Sequence, residues 1–281
     1  MKDMYWTGFE YDNQRLSDYG CMICTILGDN GVKAVNIGSK ITFNTIKNPS
    51  TNKFKRTSSQ YDEVFTATFE ICKNSCDSNE FTPEEVTYLI RWLNKETYRK
   101  FKPVYKDGEL ANIYYNASMN CELISLDGKI IGLQLTLQTD APFAYYDEVE
   151  HTMEFTSDTL SHSFYDTSDK IGYIYPSSMI IEIQQDGDFE MTNSQAEDEK
   201  IVVTGCKAGE TITFIENKVI TSSVRENLYN NFNFTYPKIG NEYKDVYGYG
   251  YYSDNMENIF TVNMPCNITF KYSPICKMGI V

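Results

Sequence analysis

The chain has 281 residues, of which 41% are hydrophobic, 23% charged and 14% aromatic, so it has length for two domains and apolar side chains enough for packed cores. Its 39 acidic residues outnumber 25 basic ones, and the net charge of −14 excludes a protein that tracks nucleic-acid phosphates with clustered Lys and Arg. Divided at residue 150, the chain carries 16 basic against 21 acidic residues (−5) and then 9 against 18 (−9); with no run near the ~18 apolar residues of a membrane helix, neither nucleic acid nor membrane is an expected binding partner.

Met1-Lys2-Asp3-Met4-Tyr5-Trp6 has no apolar core flanked by basic residues, so a cleaved export signal is not expected. In Cys21-Met22-Ile23-Cys24 the spacing resembles half a zinc knuckle or a redox pair, with Cys72 and Cys76 as the other half. The apolar residues between the first pair are those of a strand, which would turn Cys21 and Cys24 to opposite faces, so buried free thiols are expected and no metal. Residues 44–60, rich in Asn, Ser, Thr and Lys between strand-like runs, read as a hairpin tip or an extended arm.

Phe65, Ala67, Phe69 and Ile71 alternate with Thr66, Thr68 and Glu70, the pattern of a half-buried antiparallel strand with the threonines and the acid facing water. Thr82-Pro83-Glu84-Glu85 then starts a helix: Thr82 is the N-cap, Pro83 occupies the first position, Glu85 completes a capping box, and Phe81 with Val86 forms a staple. Val86, Leu89, Ile90 and Leu93 make its apolar stripe, bordered by Trp92 as a core or edge packer, and the helix is predicted over about 83–96. Asp127-Gly128 suits a type I′ turn, so residues 119–139 read as a hairpin with Leu133, Leu135 and Leu137 inward.

Asp140-Ala141-Pro142 ends this pattern, and a domain boundary is placed there, giving domains 1–140 and 141–281. The second half offers short strands around 179–183, 201–203, 211–215, 260–262 and 268–272 with turns at Asp186-Gly187 and Ala208-Gly209, an antiparallel sandwich. Tyr247, Tyr249, Tyr251 and Tyr252 lie in a Gly-interrupted loop suited to protein or glycan contact. His151 and His162, the two histidines, sit near the boundary without the partners a nucleophile needs. Glu84-Glu85 and Asp147-Glu148 read as solvated acids, and phosphate-loop, nucleophile-elbow and zinc-helix motifs are missing, so no catalytic residue and no cofactor is expected.

The order of elements resembles the distal tail protein family of long-tailed bacteriophages. Trp6-Thr7-Gly8 with Ser17-Asp18-Tyr19-Gly20, Phe81-Thr82-Pro83-Glu84-Glu85 leading to Arg91-Trp92-Leu93, and Tyr114-Tyr115-Asn116-Ala117 before Asp140-Ala141-Pro142-Phe143 carry the likeness in the first half. Lys200-Ile201-Val202-Val203-Thr204-Gly205, Gly209-Glu210-Thr211-Ile212 and Tyr272-Ser273-Pro274-Ile275 carry it in the second. The resemblance implies a mainly β, non-enzymatic chain: an N-terminal antiparallel β domain with one packed helix, ring-forming and tail-tube-like, then a galectin-like β-sandwich. It further implies a homo-hexameric ring in the virion's tail tip or baseplate. The expected partners are further copies of the chain, the tail tube protein, a tail-tip hub or tail-associated protein and a receptor-binding protein, with DNA only as transiting cargo that an acidic lumen would repel.

In such a ring, segment 44–60 becomes the candidate oligomer arm, through Lys47, Asn48, Asn52, Lys53 and Phe54. The alternative is a carbohydrate-binding adhesion module of the same particle. Against a galectin-type sugar site stand the placement of Trp6 and Trp92 in the first half and a single arginine, Arg225, in the second.

Overall fold

The computed structural model describes residues 6–26, 40–51, 53–61, 63–74, 79–105, 108–169, 172–196, 199–241 and 256–277. It is mainly β and falls into two compact units, residues 1–145 with 276–281 and residues 146–275.

The first unit contains β1 (Trp6–Tyr11), β2 (Gln14–Arg15), β3 (Cys21–Cys24), β4 (Ile41–Lys47), β5 (Phe54–Tyr61), β6 (Thr66–Lys73), α1 (Pro83–Leu93), β7 (Arg99–Tyr105), β8 (Ile113–Leu126), β9 (Lys129–Thr139) and β10 (Ala144–Tyr146). Its main sheet runs β2-β1-β7-β8-β9-β6-β3, with β10 beside β8. The β8–β9 hairpin turns at Asp127 and Gly128, whose φ values of 50° and 79° are the positive pair that a type I′ turn demands. Leu133, Leu135 and Leu137 are buried beside Phe69 and Ile71 of β6, joined in antiparallel register with β9. Glu70, expected to face water, is buried instead, because the chain beyond β3 crosses its face and the Ile26 N–H donates to its carboxylate.

The start of α1 is built as its sequence requires: the Thr82 N–H donates to Glu85 Oε2 at 2.7 Å and the Glu85 N–H to Thr82 Oγ1 at 3.2 Å. Lys73 Nζ lies 2.7 Å from Glu85 Oε2, and that hydrogen bond, followed by the Thr82 N–H, holds the Glu85 carboxyl below its ordinary value. Thr82→Ala is expected to lower stability by about 1 kcal/mol in urea unfolding, the usual worth of an N-cap. The helix ends at Leu93, earlier than the predicted 96, because Asn94 leaves the helical region (φ −83°, ψ 88°). The apolar stripe is also rotated from the expected one: Ile90 is 39% exposed, and Trp92 joins Val86, Leu89 and Leu93 in the core.

The second unit contains β11 (Val149–Phe155), β12 (Ser161–Tyr165), β13 (Gly172–Ile174), β14 (Ser178–Ile183), β15 (Gly187–Asn193), β16 (Lys200–Cys206), β17 (Thr211–Ile215), β18 (Val219–Ser222), β19 (Ile239–Asn241), β20 (Glu257–Val262) and β21 (Cys266–Tyr272), before β22 (Ile275–Cys276), which pairs with β10. A five-stranded sheet, β11-β21-β14-β17-β18, and a four-stranded sheet, β12-β20-β15-β16, share one core that includes Phe155, Ile181, Phe189, Phe214, Phe260 and Phe270. The alternation along these strands therefore makes a β-sandwich. Asp186-Gly187 carries the chain from one sheet to the other, since β14 and β15 do not pair with each other.

Candidate functional site

β4 and β5 form a two-stranded sheet of their own, from Ile41 paired with Tyr61 to Lys47 paired with Phe54, and pair with no other described strand. Lys47 and Phe54 close the ladder, the Asn48 N–H donates to the Lys53 carbonyl at 2.8 Å, and Asn48 Oδ1 accepts from the Ser50 N–H at 3.0 Å, so four of the expected arm residues build the tip and its approach. Asn52 lies outside the described residues. No described side chain of this hairpin is buried: Ile41, Phe43 and Ile46 are exposed, and Phe54 is 66% exposed.

Its charge is opposite to that of the chain. Residues 40–61 hold Lys40, Lys47, Lys53, Lys55 and Arg56 and no Asp or Glu. The Arg56 guanidinium sits 5.0 Å from the centre of the Phe43 ring. Phe43, Ile46 and Arg56 were not singled out by sequence reasoning; the signal available was this run of cations without an acid. Two-stranded hairpins by themselves are marginal in water, and exposed apolar patches are a general feature of interaction surfaces.

A second exposed segment crosses the edge of β16 in the sandwich. The Asn233 side chain accepts from the Val202 N–H at 3.1 Å and donates to the Lys200 carbonyl at 2.6 Å, while the Thr204 N–H donates to the Asn231 carbonyl at 2.8 Å. These bonds cap the free edge of β16 and leave Phe234 58% exposed at φ +59°, an uncommon backbone state for a bulky residue. Tyr229 is exposed nearby in the chain.

The four tyrosines at 247, 249, 251 and 252 lie outside the described residues, but the stem before and after them is described. Asn258, fully buried, accepts from the Gly240 N–H at 3.2 Å and from Asn193 Nδ2 at 2.8 Å, and donates to the Met256 carbonyl at 3.2 Å. Gly240 (φ +112°) passes so close to the Gly172 carbonyl that a Cβ would lie 2.0 Å from its oxygen, so only glycine fits.

The residues with catalytic potential are each engaged separately. The His151 ring packs on Phe164 and Phe270, both at 5.2 Å, and burial lowers its pKa. His162 Nε2 is 2.7 Å from the Glu154 carbonyl, Glu148 Oε1 accepts from Ser177 Oγ at 2.5 Å, and Glu85 is the helix cap. Cys21 and Cys24 point to opposite faces of β3, as their spacing implies. Among the described residues, no three His, Cys, Asp or Glu side chains converge to hold a metal ion.

Two family models account for nearly the whole chain: a phage tail protein N-terminal domain matches residues 4–141 and a phage tail C-terminal domain matches residues 143–272. No curated protein matches the sequence. The crystal structure of the SPP1 Dit protein, described as a paradigm of the hub adsorption apparatus in phages infecting Gram-positive bacteria, is similar at a TM-score of 0.62 and 14% identity, covering 96% of this chain and 99% of that one. The chain therefore belongs to the family of phage tail proteins built from these two domains, and its fold is that of a distal tail protein.

Proposed function

We propose that this chain is the structural, non-enzymatic distal tail protein of a phage or phage-like particle. Six copies close into a ring at the tail tip or baseplate, join the tail tube to the hub and carry receptor-binding components. The first unit, ending near residue 140, forms the ring, and the galectin-like sandwich faces outward. The observation that carries this reading is the β4–β5 hairpin: exposed, apolar in part, cationic, and borne by a chain whose net charge is −14. Closed rings repeat one heterologous interface, and a hairpin seated on an acidic neighbour supplies both apolar area and charge complementarity.

The test is mass in solution by light scattering, where the expected value is six times the 32.4 kDa protomer, or twice that for stacked rings. Removing residues 47–57 is expected to give folded monomers with an unchanged far-UV spectrum. Assembly that survives the deletion would overturn the role of the hairpin, and a wild-type monomer in the presence of tail tube protein would overturn the ring. A second reading, glycan adhesion, is favoured by the exposed Phe234 and Tyr229 and by the buried stem of the tyrosine loop. A glycan array probed with the full chain tests it, and no bound glycan would remove it.

A further inference from the structure

The β4–β5 ladder carries an irregularity that decides what the hairpin presents. From its open end the pairs run Ile41–Tyr61, Thr42–Gln60, Phe43–Ser59 and Asn44–Ser58, then skip Thr57 and continue as Thr45–Arg56, Ile46–Lys55 and Lys47–Phe54. Thr57 is the extra residue of a β-bulge, and its hydroxyl donates to the Asn44 carbonyl at 3.0 Å. Side chains on a strand alternate with a period of two, so in an unbroken ladder Arg56 and Phe54 would share a face with Ser58 and Gln60. The extra residue reverses that parity and turns both to the side of Ile41, Phe43 and Tyr61. The Arg56 guanidinium, 5.0 Å from the centre of the Phe43 ring, marks the shift directly.

The two faces of the hairpin therefore differ. One holds Ile41, Phe43, Phe54 and Tyr61 with the cations Lys47 and Arg56. The other holds Thr42, Asn44, Ser58 and Gln60 with Ile46 and Lys55, and Asn44 Nδ2 donates to Ser58 Oγ at 2.9 Å across it. We propose that the aromatic and cationic face set by the Thr57 bulge is the side that seats on a carboxylate-bearing surface of a second copy of this chain, while the polar face stays in water. This rests on the ring reading above and assigns the residues that make its contact.

Charge selects the occupant. The five cations of residues 40–61, set against the net −14 of the whole chain, leave −19 on the rest of each copy, so a neighbouring copy supplies the complementary sign. A guanidinium stacked on a ring keeps its N–H edges for carboxylates, and aromatic and Arg side chains are the types that dominate the energy of interfaces. Phe43 and Phe54, 55% and 66% exposed, supply the apolar area beside it.

The experiment follows the mass of the purified full chain by light scattering over a range of protein concentration, for wild type and three variants. Phe43→Ser with Arg56→Glu strikes the first face. Ile46→Ser with Lys55→Glu strikes the second with the same change of charge and the same loss of one exposed apolar side chain. A single threonine inserted between Asn44 and Thr45 gives Thr57 a partner, keeps every charge, and turns Arg56 and Phe54 away from Phe43. Expected are unchanged far-UV spectra throughout, a need for at least about tenfold more protein to assemble in the first pair and in the insertion, and assembly within about twofold of wild type in the second pair. Equal losses in the two pairs, or assembly untouched by the first pair or by the insertion, would overturn the assigned face and leave the ring standing. A monomeric wild type, or assembly that survives removal of residues 47–57, would overturn the ring reading or the hairpin's part in it, and this proposal with it.

Discussion

Replacing Glu210 with alanine is expected to destabilise the sandwich by about 3–5 kcal/mol, the cost of stranding a charge whose partner has been removed. Glu210 is fully buried, and its carboxylate lies 2.7 Å from Arg225 Nε and 2.6 Å from Arg225 Nη2. It also accepts from the Ser222 hydroxyl at 2.6 Å and the Lys207 N–H at 3.0 Å. Arg225 in turn donates Nη1 to the Thr204 carbonyl at 2.8 Å. One carboxylate thus joins the turn before β17, the end of β18 and the segment that caps β16.

Both tryptophans, Trp6 and Trp92, belong to the first unit, so their emission should stay native while urea unfolding of the sandwich moves to lower denaturant. Faster amide exchange in 203–215 would locate the loss. Replacing Glu210 and Arg225 together by Met should recover much of it, as well-packed apolar substitutes for buried ion pairs do. A single-substitution cost below about 1 kcal/mol would mean that the pair is solvated and contributes as a surface bridge would.

The same group sets a pH dependence. Burial pushes the Glu210 carboxyl up, but the hydrogen bonds from Ser222, the Lys207 N–H and Arg225 outweigh it and hold the folded value below the ordinary one. The unfolded chain therefore binds the proton more tightly, and the contribution is complete above the unfolded value of about 4.3 and fades as pH falls through the lower folded value. Urea midpoints of wild type and Glu210→Ala, measured from neutral pH downward, should converge only in that acid range.

What was legible in the sequence is what local chemistry decides. Asp127-Gly128 demanded a turn, and Thr82, Pro83 and Glu85 demanded a helix start, because each acts on atoms within four residues of itself. Ile90 and Trp92 show where that ends: both fit a helix face, and the aromatic floor of Phe9 and Tyr19, distant in sequence, selected Trp92. Glu70 followed the alternation of its strand and was buried by a segment whose path the alternation does not encode.

At the hairpin of 41–61 the limit is of another kind. Ile41 and Phe43 alternate like residues of a half-buried strand, yet nothing described covers them. A sequence marks a sticky face; whether the cover lies in the same chain is a tertiary fact. The Glu210–Arg225 pair was likewise out of reach, since it joins residues with no periodic relation.

Trp92→Ala is the other large expected effect, about 3–5 kcal/mol for removing a buried aromatic side chain that leaves a cavity. The Trp92 ring stacks on Tyr19 at 4.4 Å and on Phe9 at 5.7 Å, and Nε1 donates to the Tyr11 carbonyl at 2.8 Å. This one side chain fastens the last turn of α1 to β1 and to the turn at Leu16–Tyr19. Trp92→Phe keeps most of the stacking and loses the hydrogen bond, so it should cost about 1–3 kcal/mol, the penalty of an orphaned buried acceptor. Trp6 remains as the fluorescent reporter in both variants, and urea midpoints give the two costs. Equal costs for Ala and Phe would assign the effect to the Tyr11 carbonyl and not to packing. Trp92 is buried and the β4–β5 hairpin is exposed, so below its lowered Tm the Ala variant should assemble as wild type does, whereas the 47–57 deletion should remain folded and fail to assemble. That crossed pair of outcomes separates loss of fold from loss of interface, and a Trp92→Ala protein that is folded but monomeric would mean that the helix itself takes part in the ring.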